Sequence, residues 1–346
     1  MISLIIPTTS KTSTYTDNIL NNINELYSDK LANGELEVII ETNDSVTLGI
    51  NYNNAVSRAN GDKIILLHND MVLKPGFVEQ MEQDIAENRI TTYTRVEPPI
   101  YNDIYPGKVI LDCGTDLESF DSDKFNQYSI THNLIDGGSQ LFFGCMRKDY
   151  IGIDGYTFKM FCEDDDLHRR YKMAGFEHKV SSAHVYHFVS KTSRSSNDSQ
   201  QIEIQSNINY CRKWGSRTCP AKFNIAFVVK NCTPNLLPAF EPHCDRLYVD
   251  DHYGSMISNY IESEQPNTKF DLRTRVLNTS LNDPHSENDI VVEFDANEVT
   301  NHNMYILQQL ANILYEQGEH GEFTIDVFKL YVYSLTEYQN DLIKLN

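Results

Sequence analysis

Short apolar runs alternating with polar clusters open the chain. Residues 2–6, ISLII, are a β-branched run stopped by Pro7 and Thr8-Thr9-Ser10, which predicts a strand. From Asp17, a residue type favoured at helix starts, Ile19, Ile23 and Leu26 recur at helical spacing. A second strand over 37–40 runs into Glu41-Thr42-Asn43-Asp44-Ser45. Residues 48–59 set Leu48, Tyr52, Ala55, Val56 and Ala59 on one helical face, with Gly61 where a C′ glycine belongs. A third strand over 64–67 ends on His68-Asn69-Asp70. Strand and helix in alternation predict a parallel sheet with right-handed crossovers. Ligands of such sheets collect at the carboxyl ends of the strands. The clusters at 8–10, 41–45 and 68–70 therefore belong to one candidate site.

Residues 91–141 read as irregular, with Pro98-Pro99, Pro106-Gly107 and Gly137-Gly138, and long loops of this kind shape binding sites. A short helix over 164–174 turns Leu167, Tyr171 and Ala174 inward and ends at Gly175; a polar helix follows near 199–213. Pro220 suggests a boundary, giving domains 1–219 and 220–346. Beyond it the pattern restarts, with strands over 225–229, 247–249 and 290–294, a helix over 303–317 stopped by Gly318, and a strand through 323–333. NDIVVEFDANEV near 290 echoes GDKIILLHNDMV near 63, through partial duplication or through chance.

At 346 residues the chain suits two cores of unequal size. A net charge of −20 argues against broad nucleic-acid binding, although residues 142–230 carry 14 Lys/Arg against 9 Asp/Glu. From 231 onward the balance is 6 Lys/Arg against 19 Asp/Glu. The seven cysteines form no CxxC pair, which argues against a disulfide framework or a zinc site. No apolar run approaches the ~20 residues that span a bilayer. The first strand begins almost at residue 2, with no basic stretch ahead of it, so a cytoplasmic protein is expected.

Taken singly, the polar residues have plain readings. Asp70 suits a turn. Glu163-Asp164-Asp165-Asp166 suits the positive end of a helix dipole. Asp166 and Arg170 are spaced to pair with each other, and His187 suits a strand or loop. Taken in order, they resemble a family. SLIIPT is similar to the first strand of the inverting GT-A fold glycosyltransferases of the family-two type, and EVIIETNDS to their second strand with its nucleoside-contacting acid. YNNAVSRANGDKIILLHND resembles their RNxGxxxAxGxxxxxLDxD stretch, matching Asn53, Ala59, Gly61 and Asp70. EDDDLHRR resembles EDxDLxxR, matching Glu163, Asp164, Asp166, Leu167 and Arg170; AHVYH resembles AxVxH, matching His187. RKWG is similar to the end of that domain, so the resemblance covers residues 1 to about 217.

The resemblance implies an α/β protein: a GT-A, Rossmann-like domain with a mainly parallel sheet and flanking helices, followed by a smaller C-terminal α/β domain. It implies transfer of a sugar from a nucleotide diphosphate, with Asp70 and His187 holding Mn²⁺ or Mg²⁺ against the diphosphate charge. Asp164 would take the acceptor hydroxyl's proton, with Glu163 orienting or binding the acceptor. Pro7, Thr8, Thr9, Asn53, His68 and Asn69 would line the nucleotide-sugar site, with Glu41 or Asp44 at the base and UDP as the default donor. Arg169, Arg170 and Gly138 would contact phosphate or acceptor, the alternative for the arginines being helix salt bridges. Two positions depart from the pattern: His68 replaces the first acid of the metal triplet, and Tyr52 replaces an arginine. The acceptor expected is a saccharide, a lipid-linked sugar or a protein, with hydroxylated DNA bases as an alternative. A reading of another class is an inactive GT-A platform that binds nucleotide or glycan. The C-terminal domain is expected to oligomerise or to position the acceptor.

Overall fold

The structure is a computed structural model that describes residues 1–138, 141–158, 161–189, 199–252 and 254–337. Their contacts divide the chain into two compact units, Met1–Glu203 and Ile204–Asn346.

In the first unit, strand β1 (Ile2–Thr8) leads into helix α1 (Ser13–Ala32), and β2 (Leu36–Thr42) into α2 (Leu48–Arg58). Then come β3 (Lys63–Leu66), β4 (Met71–Leu73), α3 (Phe77–Asp84), β5 (Arg89–Glu97), β6 (Lys108–Ile110), α4 (Ser122–Gln127), β7 (Ile135–Asp136), β8 (Phe143–Met146), α5 (Arg147–Gly152), α6 (Glu163–Met173) and β9 (Glu177–His187). The sheet runs β2-β1-β3-β8-β5-β9-β4, with β6 beside β5 and β7 beside β9. Its longest pairings, β1 with β2 and β5 with β9, are parallel. β8 runs antiparallel between β3 and β5, so the sheet is mixed. The directions of β1, β3, β5 and β9 agree, and their carboxyl ends share one edge. Beneath that edge lies a core that includes Ile6, Ile19, Leu67, Met71, Tyr93 and Val185.

Several expectations change. The first helix starts at Ser13, after a 3-10 turn over Ser10–Thr12, so Asp17 lies inside it and does not cap it. Gly61 is no C′ residue: α2 ends in extended backbone at Ala59. The position requires glycine because a Cβ there would meet Ser3 Oγ at 2.5 Å and the Ser3 amide nitrogen at 2.8 Å. Ser3 Oγ accepts from the Gly61 amide at 2.9 Å while donating to Glu37, so the clash has no easy relief. Gly61→Ala is therefore expected to destabilise the protein by about 1–3 kcal/mol, seen as a lower urea midpoint at unchanged slope.

The stretch 91–141 is also more regular than its composition suggests. Nine-residue β5 occupies most of its first part and is almost wholly buried. Its threonines tolerate burial because they are bonded: Thr94 Oγ1 donates to Ser181 O and Thr91 Oγ1 to Asp84 O.

The second unit takes in α7 (Ser199–Trp214) from Ile204 on, and fully buried Trp214 closes that helix. The sequence pattern suggested a boundary near 220. The division falls earlier because the helix carries Arg212, whose guanidinium bonds Glu241 at 2.7 Å and Glu264 at 2.9 Å. After it come β10 (Ile225–Lys230), α8 (Leu237–Phe240), β11 (Arg246–Val249), α9 (Ser255–Glu264), β12 (Val276–Asn278), α10 (Pro284–Glu287), β13 (Ile290–Asp295), α11 (Asn301–Gln317), β14 (Gly321–Ile325) and β15 (Phe328–Val332). Sheet order is β12-β11-β10-β13-β15-β14, parallel through the first four strands. The expected strand over 323–333 is a hairpin, turning at Asp326 with φ of 54°. Gly318 ends α11 in the left-handed region, as its position suggested. All seven cysteines are free thiols. Among the described residues no helix is long and apolar enough to cross a membrane.

Candidate metal centre and its surroundings

The strand β3 ends at Leu66, and its last carbonyls are bonded from below. The Tyr93 hydroxyl donates to Leu66 O at 2.8 Å, and the Tyr52 hydroxyl to Leu67 O at 3.0 Å. Tyr52, which stands where the resembled pattern has arginine, thus fixes the strand end that carries His68, Asn69 and Asp70. Asn69 is buried, and its amide nitrogen reaches Thr8 Oγ1 (3.0 Å), Thr12 Oγ1 (2.8 Å) and Thr16 Oγ1 (3.1 Å). It stitches the loop after β1 to the end of β3.

On either side of Asn69, His68 and Asp70 meet His187, the last residue of β9. One ligand atom from each of the three lies within 4.8 Å of the others. His187 Nε2 is 3.4 Å from Asp70 Oδ1, and His68 Nδ1 is 3.9 Å from the same oxygen. Asp70 is 4% exposed and His187 5%. His68 Nε2 and His187 Nε2 are buried without a hydrogen-bond partner. A buried nitrogen without a hydrogen bond needs an explanation; His187 Nε2, facing the Asp70 carboxylate with the His68 ring beside it, fits a ligand of a divalent cation. Phe142 packs on both imidazoles, with ring centroids 4.8 Å from His68 and 5.1 Å from His187.

The electrostatics agree with that fit. Burial pushes the His68 imidazole down to about 4, helped by the charges of His187 and Arg95, so it is neutral, the form that ligates. Burial alone would lower His187 too, but the Asp70 charge and the bond to Glu97 raise it to about 9. A proton on His187 balances Asp70 in the metal-free protein, and metal binding must release it.

Behind His187 lies a residue that the motifs did not signal. Glu97 Oε1 accepts from His187 Nδ1 at 2.8 Å. Burial would raise its carboxyl, but the bond from His187 and the charges of Arg95 and Lys108 hold it below the usual range. The only trace in the sequence is RVE, two opposite charges inside a β-branched run, and charged residues in such runs are ordinarily solvated.

The acidic run at 163–166 opens α6, entered through Phe161 (φ 55°) and Cys162 (φ 78°). Two successive side-chain-bearing residues in the left-handed region are strained, and such strain concentrates at functional sites. The four acids have separate fates. Asp166 is fully buried, salt-bridged to Arg170 at 2.8 Å and bonded by Thr157 at 2.8 Å. Arg170 also donates to the carbonyls of Ile153 and Gly155, so it braces that loop. Asn53 braces the same loop, donating to Tyr156 O at 2.8 Å and accepting from the Tyr150 hydroxyl at 2.7 Å.

Asp164 is half-buried and accepts from the Asp165 amide at 3.0 Å. Glu163 is 7% exposed, and its Oε2 has no hydrogen-bond partner. Burial first, then the charges of Asp164 and Asp165, push the Glu163 carboxyl up to about 8. Both acidic groups act on one neighbour: burial, and after it charges that include Asp70 and Glu163, hold the Tyr52 hydroxyl well above its ordinary value.

The other expected site residues lie as follows. Pro7 and Thr8 end β1, buried, with Thr9 half-buried after them. Asp44 is exposed and accepts from the Ser10 amide at 3.1 Å, while Glu41 pairs with Arg58 at 2.5 Å. Arg169 is buried on α6. Gly138 (φ +125°) abuts Thr92 on β5, where a Cβ would meet Thr92 Oγ1 at 2.3 Å. His68, Asp70 and His187 come together as one group, while Asn53, Asn69 and Arg170 turn their side-chain bonds inward to neighbouring loops.

No protein-family model matches the chain, and no curated protein is similar to it. Among solved structures it is similar to the crystal structure of GalNAc-T7 with UDP, GalNAc and Mn²⁺, at 11% identity and a TM-score of 0.41 over 62% of this chain and 48% of that one. It is similar to the crystal structure of S. aureus TarS at 13% identity and a TM-score of 0.39, over 61% of this chain and 39% of that one. The chain thus spans less than half the length of either.

Proposed function

We propose that the first unit is a metal-dependent, inverting glycosyltransferase of the GT-A type, moving a sugar from a nucleoside diphosphate to an acceptor hydroxyl. The observation that carries this reading is the His68–Asp70–His187 group, built where β3 and β9 deliver their carboxyl ends. Two imidazoles and one carboxylate suit Mn²⁺ better than Mg²⁺, which prefers all-oxygen shells. A bound cation would offset the charge that grows on the diphosphate as the glycosidic bond breaks.

The remaining steps belong to side chains. Asp164, half-buried in the first turn of α6, accepts the proton of the acceptor hydroxyl. That oxygen bonds to the anomeric carbon as the carbon–phosphate-oxygen bond opens on the opposite face, which inverts the centre. Glu163, neutral at pH 7, donates a hydrogen bond to the acceptor and keeps a second negative charge away from Asp164. Thr8, Thr9 and Asp44 border the nucleoside, and UDP is the default donor. The acceptor class that best suits an acidic surface is a saccharide, a lipid-linked sugar or a protein, because phosphate backbones would be repelled.

Calorimetric titration of UDP, GDP, CDP and dTDP, with and without Mn²⁺, tests the reading on wild type and on Asp70→Ala. One nucleotide is expected to bind only with Mn²⁺, and the substitution is expected to abolish that binding. Folded wild-type protein that binds none of the four would sink the enzyme reading.

A further inference from the structure

We propose that Glu97 is the positioning residue of the metal centre: it holds His187 through Nδ1 and so aims Nε2 at the cation beside Asp70. The inference rests on the metal-dependent reading above. It starts from register. β5 and β9 are parallel neighbours with Val96 opposite Tyr186, so the next residues, Glu97 and His187, end their strands side by side. The contact is 2.8 Å between Nδ1 and Oε1. A carboxylate can only accept in that bond, so Nδ1 carries the proton. Nε2 then faces Asp70 Oδ1 at 3.4 Å, buried and without a hydrogen-bond partner.

A purely structural role for Glu97 would be to neutralise Arg95 and Lys108, both buried nearby. The distances favour the histidine. Lys108 Nζ is 3.5 Å from Glu97 but 2.8 Å from Asp103, and it also donates to Tyr101 O at 3.1 Å. Arg95 Nε is 3.6 Å from Glu97, while its guanidinium bonds the Tyr105 hydroxyl and stacks on Phe142 at 3.9 Å. Each cation has closer company elsewhere, and the shortest contact of Glu97 goes to His187. Both cations stay at longer range from the carboxylate than the histidine does. Second-sphere carboxylates of this kind set the tautomer, ring orientation and basicity of a ligating histidine.

The test uses Mn²⁺ alone, titrated into the full chain and followed by the paramagnetic resonance of free Mn²⁺. Glu97→Gln keeps an acceptor without the charge, and Glu97→Ala removes both. Affinity is expected to fall in the order wild type, Gln, Ala, with a loss of roughly 10–100-fold at the end of the series. Lys108→Met, which removes a neighbour of Glu97 and leaves the histidine contact, is expected to bind Mn²⁺ like wild type. Melting curves of the metal-free variants identify any that fail to fold; should Ala do so, Gln decides. Wild-type affinity in a folded Glu97→Gln and Glu97→Ala would overturn the positioning role alone. So would a loss in Lys108→Met equal to that in Glu97→Gln, since the cluster would then act through packing. Wild-type protein that binds no Mn²⁺ would remove the metal centre itself, and this role with it.

Discussion

Asp164→Asn is expected to leave nucleotide affinity unchanged and to lower kcat by roughly 10²–10⁴-fold. The substitution is nearly isosteric. The Asp165 amide bonds Asp164 Oδ1 at 3.0 Å, and an asparagine carbonyl accepts that bond equally well. The first turn of α6 therefore keeps its geometry, and what disappears is the capacity to take a proton. Because the lost interaction develops only as the acceptor attacks, kcat and kcat/KM should fall together. Initial-rate measurements at saturating donor, with nucleotide binding measured in parallel, separate this from a docking defect. A variant that transfers at the wild-type rate would place the base elsewhere.

The second large effect concerns stability. Glu163→Gln is expected to raise the melting temperature at pH 9, to change it little at pH 4, and to flatten the curve between. Glu163 has an ordinary carboxyl value of 4.5 in the unfolded chain and about 8 in the folded one. Between those values the folded state binds more protons, so stability is lost as pH rises. Each pH unit of difference is worth about 1.4 kcal/mol, so the window amounts to a few kcal/mol as an upper bound. Glutamine fills the same space and cannot ionise. Thermal unfolding at pH 4, 5.5, 7 and 9 checks it: wild type and variant declining in parallel would show that Glu163 ionises as freely as a surface acid.

Much of the first unit could be read from the sequence because its inner strands β1 and β3 bury β-branched runs and its helices show a single apolar face. Where that signal was weak, so was the reading. β5 is written RITTYTRVE, and its threonines and charges look like loop until partners far along the chain are known. Glu97, Arg95 and Lys108 were missed for the same reason: each is charged, each is buried, and what makes burial tolerable is the others. The hairpin of β14 and β15 merged into one strand because Asp326 turns the chain without glycine or proline at the tip. In the site, the motif positions have different surroundings from one another. Asp166 and Arg170 brace a loop, and Asn69 sews two segments together.

Trp214 gives the chain a built-in optical label. It is the only tryptophan in the sequence, it is fully buried, and it belongs to the second unit. Its emission reads the folding of that unit, whereas far-ultraviolet dichroism reads both sheets. Coincident melting curves would mean one cooperative transition; separated ones would mean that the two units unfold in turn.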